Sequence, residues 1–219
     1  MHKTVTIDLN KDILEENRRL ATKNQDLLLK HNVSAFDFLG AVGSGKTLII
    51  ESIAKKLAAK NIEIGVIAGD VAGDDDYRRY KKHNVSVVNL NTGKECHLDA
   101  HLVAHALDKL NLPKIDYLFI ENVGNLVCPV DFPLGTDKRI IVISVTEGDD
   151  MVRKHPHIFR EADVVVINKI DLSEIMEVDP EKLANDAKQI NSYAKIVLTD
   201  AKHDVGIDEL ISALEIDLN

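Results

Sequence analysis

Residues 40–47, Gly-Ala-Val-Gly-Ser-Gly-Lys-Thr, are the strongest indication of the fold of this chain. They match the pattern G-x-x-x-x-G-K-[ST], and they lie between an apolar run that ends at Leu39 and a helical pattern over residues 48–60. In such a strand–loop–helix setting, this pattern forms a phosphate-binding loop. We therefore predict a protein that binds a nucleotide.

The residue types in this loop each have a role in holding phosphate. Gly43 and Gly45 let the backbone N–H groups of the loop, that of Ser44 included, turn toward phosphate oxygens. The helix that follows presents its N-terminus to the anion. Lys46 reaches the β- and γ-phosphates, and the Thr47 hydroxyl is a ligand for Mg²⁺.

Apolar runs alternate with helical patterns along the rest of the chain. Most of the runs are almost continuously apolar, as expected for strands that are buried on both faces, and the segments between them are long enough for crossover helices. The predicted strands are 35–39, 62–68, 85–90, 117–120, 140–145, 164–167 and 196–198. We predict an α/β fold of the P-loop type, with a mainly parallel central sheet flanked by helices.

A second nucleotide motif follows the predicted strand 164–167. Residues 168–171 are Asn168-Lys169-Ile170-Asp171, which match N-K-x-D. The Asp171 carboxylate can accept hydrogen bonds from both the ring N1–H and the exocyclic amino group of guanine, a donor pair that adenine lacks. This motif predicts GTP and GDP as ligands. After the last strand, the Ala201 N–H would meet the guanine oxygen and Lys202 would cover the ring.

Acidic residues near strand ends are candidates for the Mg²⁺ side of the site. Asp70 and Glu121 both follow predicted strands, at the edge where ligands bind in open α/β sheets. Gly124 follows Glu121 at the spacing of a turn that senses the γ-phosphate, which argues against a plain surface acid. The acidic run 74–76 has two interpretations: a switch segment that orients water or holds Mg²⁺ through water, or a helix N-terminus.

The composition excludes several classes of protein. The chain has 219 residues, of which 36 are acidic and 27 basic, with a net charge of −9. This surplus argues against a nucleic-acid binder, which needs clustered lysine and arginine. No apolar run approaches the ~18 residues of a membrane span, and the N-terminus lacks a signal-peptide pattern. We expect a cytoplasmic protein that binds neither nucleic acid nor membrane.

The N-terminal region has the pattern of an amphipathic helix. Apolar residues form two adjacent columns over residues 10–30, for only about three heptads, so packing on its own domain is favoured over a dimeric coiled coil. No linker composition divides the remainder. We expect an N-terminal helical extension at 1–32 and a P-loop GTPase domain at 33–219.

The two cysteines of the chain, Cys96 and Cys128, are candidates for a metal site. His97, His101 and His105 recur every four residues after Cys96, so a helix would place the three histidines on one face. A thiol at such a helix start would have a lowered pKa, which favours the thiolate that Zn²⁺ or Ni²⁺ needs. The alternative is that both cysteines are small buried hydrophobes and that the histidines cover a solvated helix face.

A metal bound at Cys128 would lie near the turn at Gly124, which responds to the γ-phosphate. Cys96, His97 and Cys128 supply three ligands, whereas a zinc site usually has four. The fourth would come from water, from His101 or from a second subunit.

These motifs together resemble the hydrogenase nickel-incorporation GTPases of the HypB type, within the dimerising P-loop GTPases that also include urease accessory GTPases. The resemblance covers about residues 33–214. It rests on five segments: 43–47, 69–70, 91–100, 121–129 and 168–171.

The resemblance implies a GTPase that converts GTP to GDP and phosphate and forms a homodimer when GTP is bound. It implies Ni²⁺ or Zn²⁺ binding through Cys96, His97 and Cys128, with a nickel metallochaperone and a [NiFe]-hydrogenase large-subunit precursor as partners. By the same resemblance, Asp76 is the switch carboxylate and Glu121 lies near Mg²⁺. With Lys46 these acids form the candidate catalytic set.

Three other functions compete with this interpretation. A nickel chaperone for urease or another metalloenzyme shares the nucleotide motifs, but Cys96-His97 and the preceding segment 91–94 argue against it. A P-loop small-molecule kinase is disfavoured by the N-K-x-D motif. The third alternative is a metal-binding module whose GTPase activity is vestigial.

Overall fold

Seven strands form a parallel sheet in the computed structural model of this chain, which describes residues 2–83 and 85–218, with side chains from residue 11 onward. The strands are β1 (Ser34–Leu39), β2 (Ile64–Asp70), β3 (Ser86–Asn91), β4 (Tyr117–Glu121), β5 (Lys138–Ser144), β6 (Val164–Asn168) and β7 (Lys195–Leu198). Their order is β3-β2-β4-β1-β5-β6-β7, and neighbours pair in parallel. All seven predicted strands are confirmed, and the sheet is parallel throughout.

Helices form most of the connections between the strands. The connecting helices are α2 (Lys46–Ala58), α3 (Asp75–Lys81), α4 (Ala100–Leu107), α5 (Met151–Lys154), α6 (Pro156–Arg160), α7 (Ser173–Met176) and α8 (Pro180–Ile190). Helix α1 (His2–Lys30) precedes the first strand, and α9 (Ile207–Leu214) follows the last one. Among the described residues, none of the helices combines the length and the apolar character that a membrane crossing requires.

Apolar side chains cover both faces of the sheet, which explains the continuous apolar runs in the sequence. On one face, the ring of Phe119 lies 5.4 Å from that of Phe36 and 5.9 Å from that of Phe38, measured between centroids. Ile49 and Ile53 of α2 belong to the same buried cluster. The phosphate loop is therefore fixed at both ends, by β1 and by a helix packed on the sheet.

The strand register brings the candidate residues to one edge of the sheet. Glu121 of β4 is paired with Phe38 of β1 and with Ala68 of β2. Because the strands are parallel, the loop after β1, the end of β2 and the segment after β4 meet at their carboxyl ends. This edge is where ligands bind in open α/β sheets.

Helix α1 packs on the rest of the chain, as the sequence predicts. Ala21 and Leu28 are buried, and Leu28 belongs to a cluster with Val33 and with Leu107 of α4. The part of the predicted pattern at residue 10 lies outside the described side chains. The division of the chain at residues 32 and 33 stays a prediction.

Candidate nucleotide and metal site

The phosphate loop connects β1 to α2 in a conformation that requires glycine. Gly45 has a φ of 104°, and a Cβ atom there would lie 2.2 Å from Asn168 Nδ2. The Lys46 side chain is buried, and its Nζ donates to the carbonyl oxygens of Gly40 (3.0 Å) and Ala41 (3.1 Å). Burial lowers the pKa of Lys46, and neighbouring carboxylates oppose that shift. The Lys46 ammonium is thus bound to the first two residues of the phosphate loop.

Glu121 is the central acid of the site and is only 4% exposed. Its Oε1 accepts a hydrogen bond from Thr47 Oγ1 at 2.7 Å, and its Oε2 accepts one from the Tyr80 hydroxyl at 2.5 Å. Burial raises the pKa of Glu121 to about 7; the charge of Asp76 adds to this shift, and that of Lys46 opposes it. Two of the predicted Mg²⁺ ligands, Thr47 and Glu121, are therefore in direct contact.

One cleft of about 390 Å³ contains both the phosphate loop and the predicted acids. The predicted residues that line it are Gly43, Gly45, Lys46, Thr47, Asp70, Asp76 and Glu121. Its hydroxyl and carboxylate oxygens are hard donors, so the residues fit Mg²⁺. A larger cavity of about 530 Å³, between α1 and residues 130–139, contains none of the predicted residues.

The acidic run begins α3. Asp74 occupies the N-cap position, and Asp75 and Asp76 lie in the first turn. The helix-start interpretation therefore applies to the whole run. Asp75 and Asp76 also line the cleft, so their position is compatible with the switch interpretation as well.

Asn168 ties the base-binding motif to two other loops. Its Nδ2 donates to the Ser44 carbonyl oxygen at 2.9 Å, and its Oδ1 accepts from Thr199 Oγ1 at 3.0 Å and from the Ala201 N–H at 3.2 Å. The Ala201 N–H, predicted to meet a guanine oxygen, is thus directed at Asn168 in this structure. The side chain of Asn168 fixes the distance between the phosphate loop and the last loop of the site.

Of the other residues of the motif, Lys169 and Ile170 are half-buried and Asp171 is exposed. Lys169 Nζ donates to the Gly43 carbonyl oxygen at 2.6 Å. Asp171 lies in a short 3₁₀ turn, with its carboxylate within 4.8 Å of ligand atoms of Asp200 and His203. Lys202 is exposed next to this group. Asp171 is therefore accessible to a base, as its predicted role requires.

The histidine segment is helical only from Ala100 onward, so the three histidines do not share one helix face. Helix α4 begins at Ala100, because the Asp99 side chain caps it by accepting a hydrogen bond from the Leu102 N–H at 2.7 Å. His97 lies in the preceding loop and does not share a helix face with the other histidines. His101 and His105 do lie on α4, with their Nε2 atoms 3.2 Å apart.

The two cysteines are brought together. The neighbouring Cys128 thiol, followed by a smaller effect of desolvation, raises the pKa of Cys96, so the predicted lowering of this pKa is wrong. The reason is that Cys96 lies four residues before α4, beside another thiol rather than at the helix end. Cys96 is exposed and Cys128 half-buried, so the alternative of two buried hydrophobes is wrong for Cys96.

His97 lies beside the cysteine pair but does not complete a compact site. Its Nδ1 is 3.9 Å from Cys96 Sγ, and its ring packs on Phe132 with centroids 4.1 Å apart. Burial lowers the pKa of His97, which favours the neutral form that can bind a metal. Within the described part of the chain, the ligand atoms of Cys96, His97 and Cys128 do not all lie within 4.8 Å of one another.

Asn125 connects the phosphate loop with the cysteine loop. Its backbone forms an antiparallel bridge with Gly40, where the phosphate loop begins. Its Nδ2 donates to the Cys96 carbonyl oxygen at 3.1 Å, and its Oδ1 accepts from the Val127 N–H at 2.9 Å, next to Cys128. One side chain thus contacts the segments of both cysteines.

The motifs do not predict Asn125 or Tyr80, although both contact candidate residues. Weak signals for them exist in the sequence: Asn125 directly follows the glycine of the γ-phosphate turn, and Tyr80 lies one helical turn after Asp76. Neither signal identifies a contact partner, because the partners are distant in sequence.

Comparisons with known sequences agree with this geometry. The family model described as "CobW/HypB/UreG, nucleotide-binding domain" matches residues 35–198. The probable hydrogenase maturation factor HypB of Methanocaldococcus jannaschii is 57% identical over 215 residues, which cover 98% of this chain and 97% of that protein. The hydrogenase maturation factor HypB of Escherichia coli is 36% identical over 209 residues, which cover 95% and 72%.

Solved structures with the same fold include two HypB proteins. The hydrogenase maturation factor HypB from Archaeoglobus fulgidus matches with a TM-score of 0.87 and 48% identity, covering 94% of this chain and all of that one. HypB from Helicobacter pylori, solved in complex with nickel, has a TM-score of 0.86 and 34% identity, covering 91% and 94%. An LAO/AO transport system kinase, 18% identical with a TM-score of 0.60, shares the fold alone.

Proposed function

Because this chain belongs to the HypB group of the CobW/HypB/UreG nucleotide-binding family, we propose that it couples GTP binding and hydrolysis to nickel delivery in the maturation of a [NiFe]-hydrogenase. Hydrolysis of GTP to GDP and phosphate is the activity of this family. The observation that carries the coupling is the connection through Asn125, which joins the start of the phosphate loop to the loops of Cys96 and Cys128.

In the nucleotide site, catalysis would come from positioning and from charge stabilisation. The backbone N–H groups of Gly43, Ser44 and Gly45, together with the Lys46 ammonium, would hold the phosphates. Mg²⁺, held through Thr47, Asp70 and Glu121, would neutralise charge on the phosphate oxygens when bound. Asp76, at the wall of the cleft, would orient the attacking water.

Guanine selection would come from the motif at the end of β6. Asp171 would accept both guanine donors, while Asn168 and Lys169 hold the phosphate loop against the base site through Ser44 and Gly43. The adjoining residues Ala201 and Lys202 would complete the base pocket. This selection, with the family membership, disfavours the small-molecule kinase alternative.

Nickel is the cargo in this proposal, and Cys96, His97 and Cys128 would bind it. The effect of the Cys128 thiol on the pKa of Cys96 supports this ligand set, and so does the solved complex of Helicobacter pylori HypB with nickel. Because the three ligands do not close around a point in one chain, a second copy would complete the site in a GTP-dependent homodimer. Zn²⁺ suits the same ligands, and His101 is a further candidate ligand.

The recipient and the supplier of the metal belong to the same proposal. The recipient would be the precursor of a hydrogenase large subunit, and the supplier a nickel metallochaperone. Both would have to approach Cys96, which is exposed on the surface of one protomer. A nickel chaperone for another metalloenzyme remains the second candidate, since a 35% identical relative is named hydrogenase/urease maturation factor HypB.

The test is a nickel titration followed by measurement of mass in solution, with GDP and with a non-hydrolysable GTP analogue. We expect wild type to dimerise and to bind Ni²⁺ more tightly with the analogue, and Cys128→Ala to lose both responses. Val127→Ala is the matched control, because Val127 is an exposed neighbour that is not a metal ligand. If neither nickel binding nor dimerisation depends on Cys128, the proposed function fails.

A further inference from the structure

Tyr80 belongs to none of the nucleotide motifs, yet it contacts the acid at the centre of the site. Its side chain is fully buried on α3, and its hydroxyl donates to Glu121 Oε2 at 2.5 Å. The other carboxylate oxygen of Glu121 accepts from Thr47. Each oxygen of Glu121 is therefore held from a different element, one from α2 and one from α3.

The length of Glu121 explains why a second anchor matters. Glutamate has one more rotatable bond than aspartate. Holding the longer side chain in one orientation costs more conformational entropy. The bond from Thr47 fixes one oxygen only. With Mg²⁺ bound, the carboxylate would be ionised, and hydrogen bonds to an ionised group in a buried site are among the strong ones.

The ring of Tyr80 is fixed independently of its hydroxyl. It packs in the buried cluster between α2 and the sheet, with Ile49, Phe38 and Ala68 in the same cluster. Phenylalanine would keep this packing and remove only the hydrogen bond. Asp76 lies one turn earlier on the same helix, so the bond from Tyr80 also joins the acid of β4 to the helix that carries the predicted switch carboxylate.

We propose that Tyr80 is a positioning residue, whose hydroxyl holds Glu121 in the orientation in which it and Thr47 act together on the Mg²⁺ side of the bound nucleotide. Tyr80 acts through Glu121 and is not itself a catalytic residue. This inference rests on the proposed function, because it requires a guanine nucleotide site that depends on Mg²⁺.

The test is the rate of release of a fluorescent GDP derivative from wild type and Tyr80→Phe, measured over a range of Mg²⁺ concentrations. We expect the Mg²⁺ concentration that gives half of the maximal slowing to rise about tenfold in the variant, the effect of losing one hydrogen bond to a charged group. The release rate with EDTA should not change, and saturating Mg²⁺ should restore the wild-type rate.

Tyr77→Phe is the matched control, because it removes the hydroxyl of another tyrosine on the same helix. Thermal unfolding without nucleotide measures any loss of packing. In a Glu121→Asp background, Tyr80→Phe should have little further effect, since the shorter acid does not reach both partners.

The inference is overturned if Tyr80→Phe keeps the wild-type Mg²⁺ dependence, or if its defect persists at saturating Mg²⁺ and follows the loss of thermal stability. A wild-type protein whose GDP release does not respond to Mg²⁺ would instead contradict the proposed function itself.

Discussion

The buried acids Glu121 and Asp37 differ in how many of their carboxylate oxygens accept hydrogen bonds. Both oxygens of Glu121 accept hydrogen bonds, whereas Asp37 of β1 has one bonded oxygen and one without a hydrogen-bond partner among the described residues. Arg139 Nε lies 3.8 Å from that second oxygen. Burial raises the pKa of Asp37 to about 6, and Arg139 and Asn122 oppose the shift.

This pKa predicts a dependence of stability on pH. Since the folded chain binds the proton of Asp37 more tightly than the unfolded chain, the stabilisation is fully present below the ordinary pKa of 3.8 and is lost as pH rises through about 6. The loss amounts to about 3 kcal/mol. Asp37→Asn should flatten this part of the urea-unfolding profile between pH 4 and 7, whereas Asp108→Asn, an exposed control, should not. Parallel profiles for wild type and Asp37→Asn would refute the assignment.

The Asp171 carboxylate is the predicted acceptor for the guanine base. Asp171→Asn removes the acceptor for the two guanine donors, so GTP affinity should fall roughly 10- to 100-fold while ATP affinity stays low. Competition binding with GTP and ATP measures this change. Glu174→Gln, an exposed acid in α7, is the matched control. Wild-type GTP affinity in Asp171→Asn would show that the base is read elsewhere.

At the scale of elements, α1 is tied to the loops that carry metal candidates. Asn17 Oδ1 accepts from the Ala100 N–H at 2.8 Å, and its Nδ2 donates to the Pro133 carbonyl oxygen at 2.9 Å. Asn24 Nδ2 donates to the carbonyl oxygens of Ala100 (2.8 Å) and Leu134 (3.1 Å). Two asparagines seven residues apart on one helix face therefore hold the start of α4 and the segment after Phe132.

We expect Asn17→Ala to lower the free energy of unfolding by about 1–3 kcal/mol, because it leaves a buried N–H and a partly buried carbonyl without their side-chain partner. Urea unfolding monitored by circular dichroism measures this change. Gln25→Ala removes an exposed amide from the same helix and should have little effect. If the two variants had the same free energy of unfolding, the hydrogen bonds of Asn17 would not contribute to stability.

At the scale of the whole molecule, the nucleotide and metal sites share one connecting segment, residues 121–128. If GTP tightens nickel binding, nickel must tighten the binding of the GTP analogue by the same factor. Couplings of this kind amount to about 1–3 kcal/mol. The contacts of Asn125 make its side chain the part of this segment that reaches both cysteine loops.

Asn125→Ala should therefore reduce the ratio of nickel affinities measured with the GTP analogue and with GDP, while nucleotide affinity without metal stays close to wild type. Calorimetric titrations in both nucleotide states measure the ratio. Asn111→Ala, at an exposed asparagine, is the control. An unchanged ratio in Asn125→Ala would mean that the Asn125 side chain does not couple nucleotide binding to nickel binding.

Local sequence patterns predict the parallel sheet, the phosphate loop, the guanine motif and the candidate metal ligands. These features depend on local order: continuous apolar runs are typical of strands buried on both faces, and the motifs have fixed spacing between strand and helix. Strand boundaries from the sequence differ from the observed ones by two residues at most.

Contacts between side chains that are distant in sequence follow from the tertiary structure and could not be predicted. Tyr80 reaches Glu121, Asn125 reaches the Cys96 loop, and the Cys128 thiol shifts the pKa of Cys96, because strand order places separate loops at one edge of the sheet. The pKa of Cys96 could not be predicted for the same reason: it depends on a partner 32 residues away in sequence and on where Asp99 lets α4 begin. Spacing within one segment carries no information about such contacts.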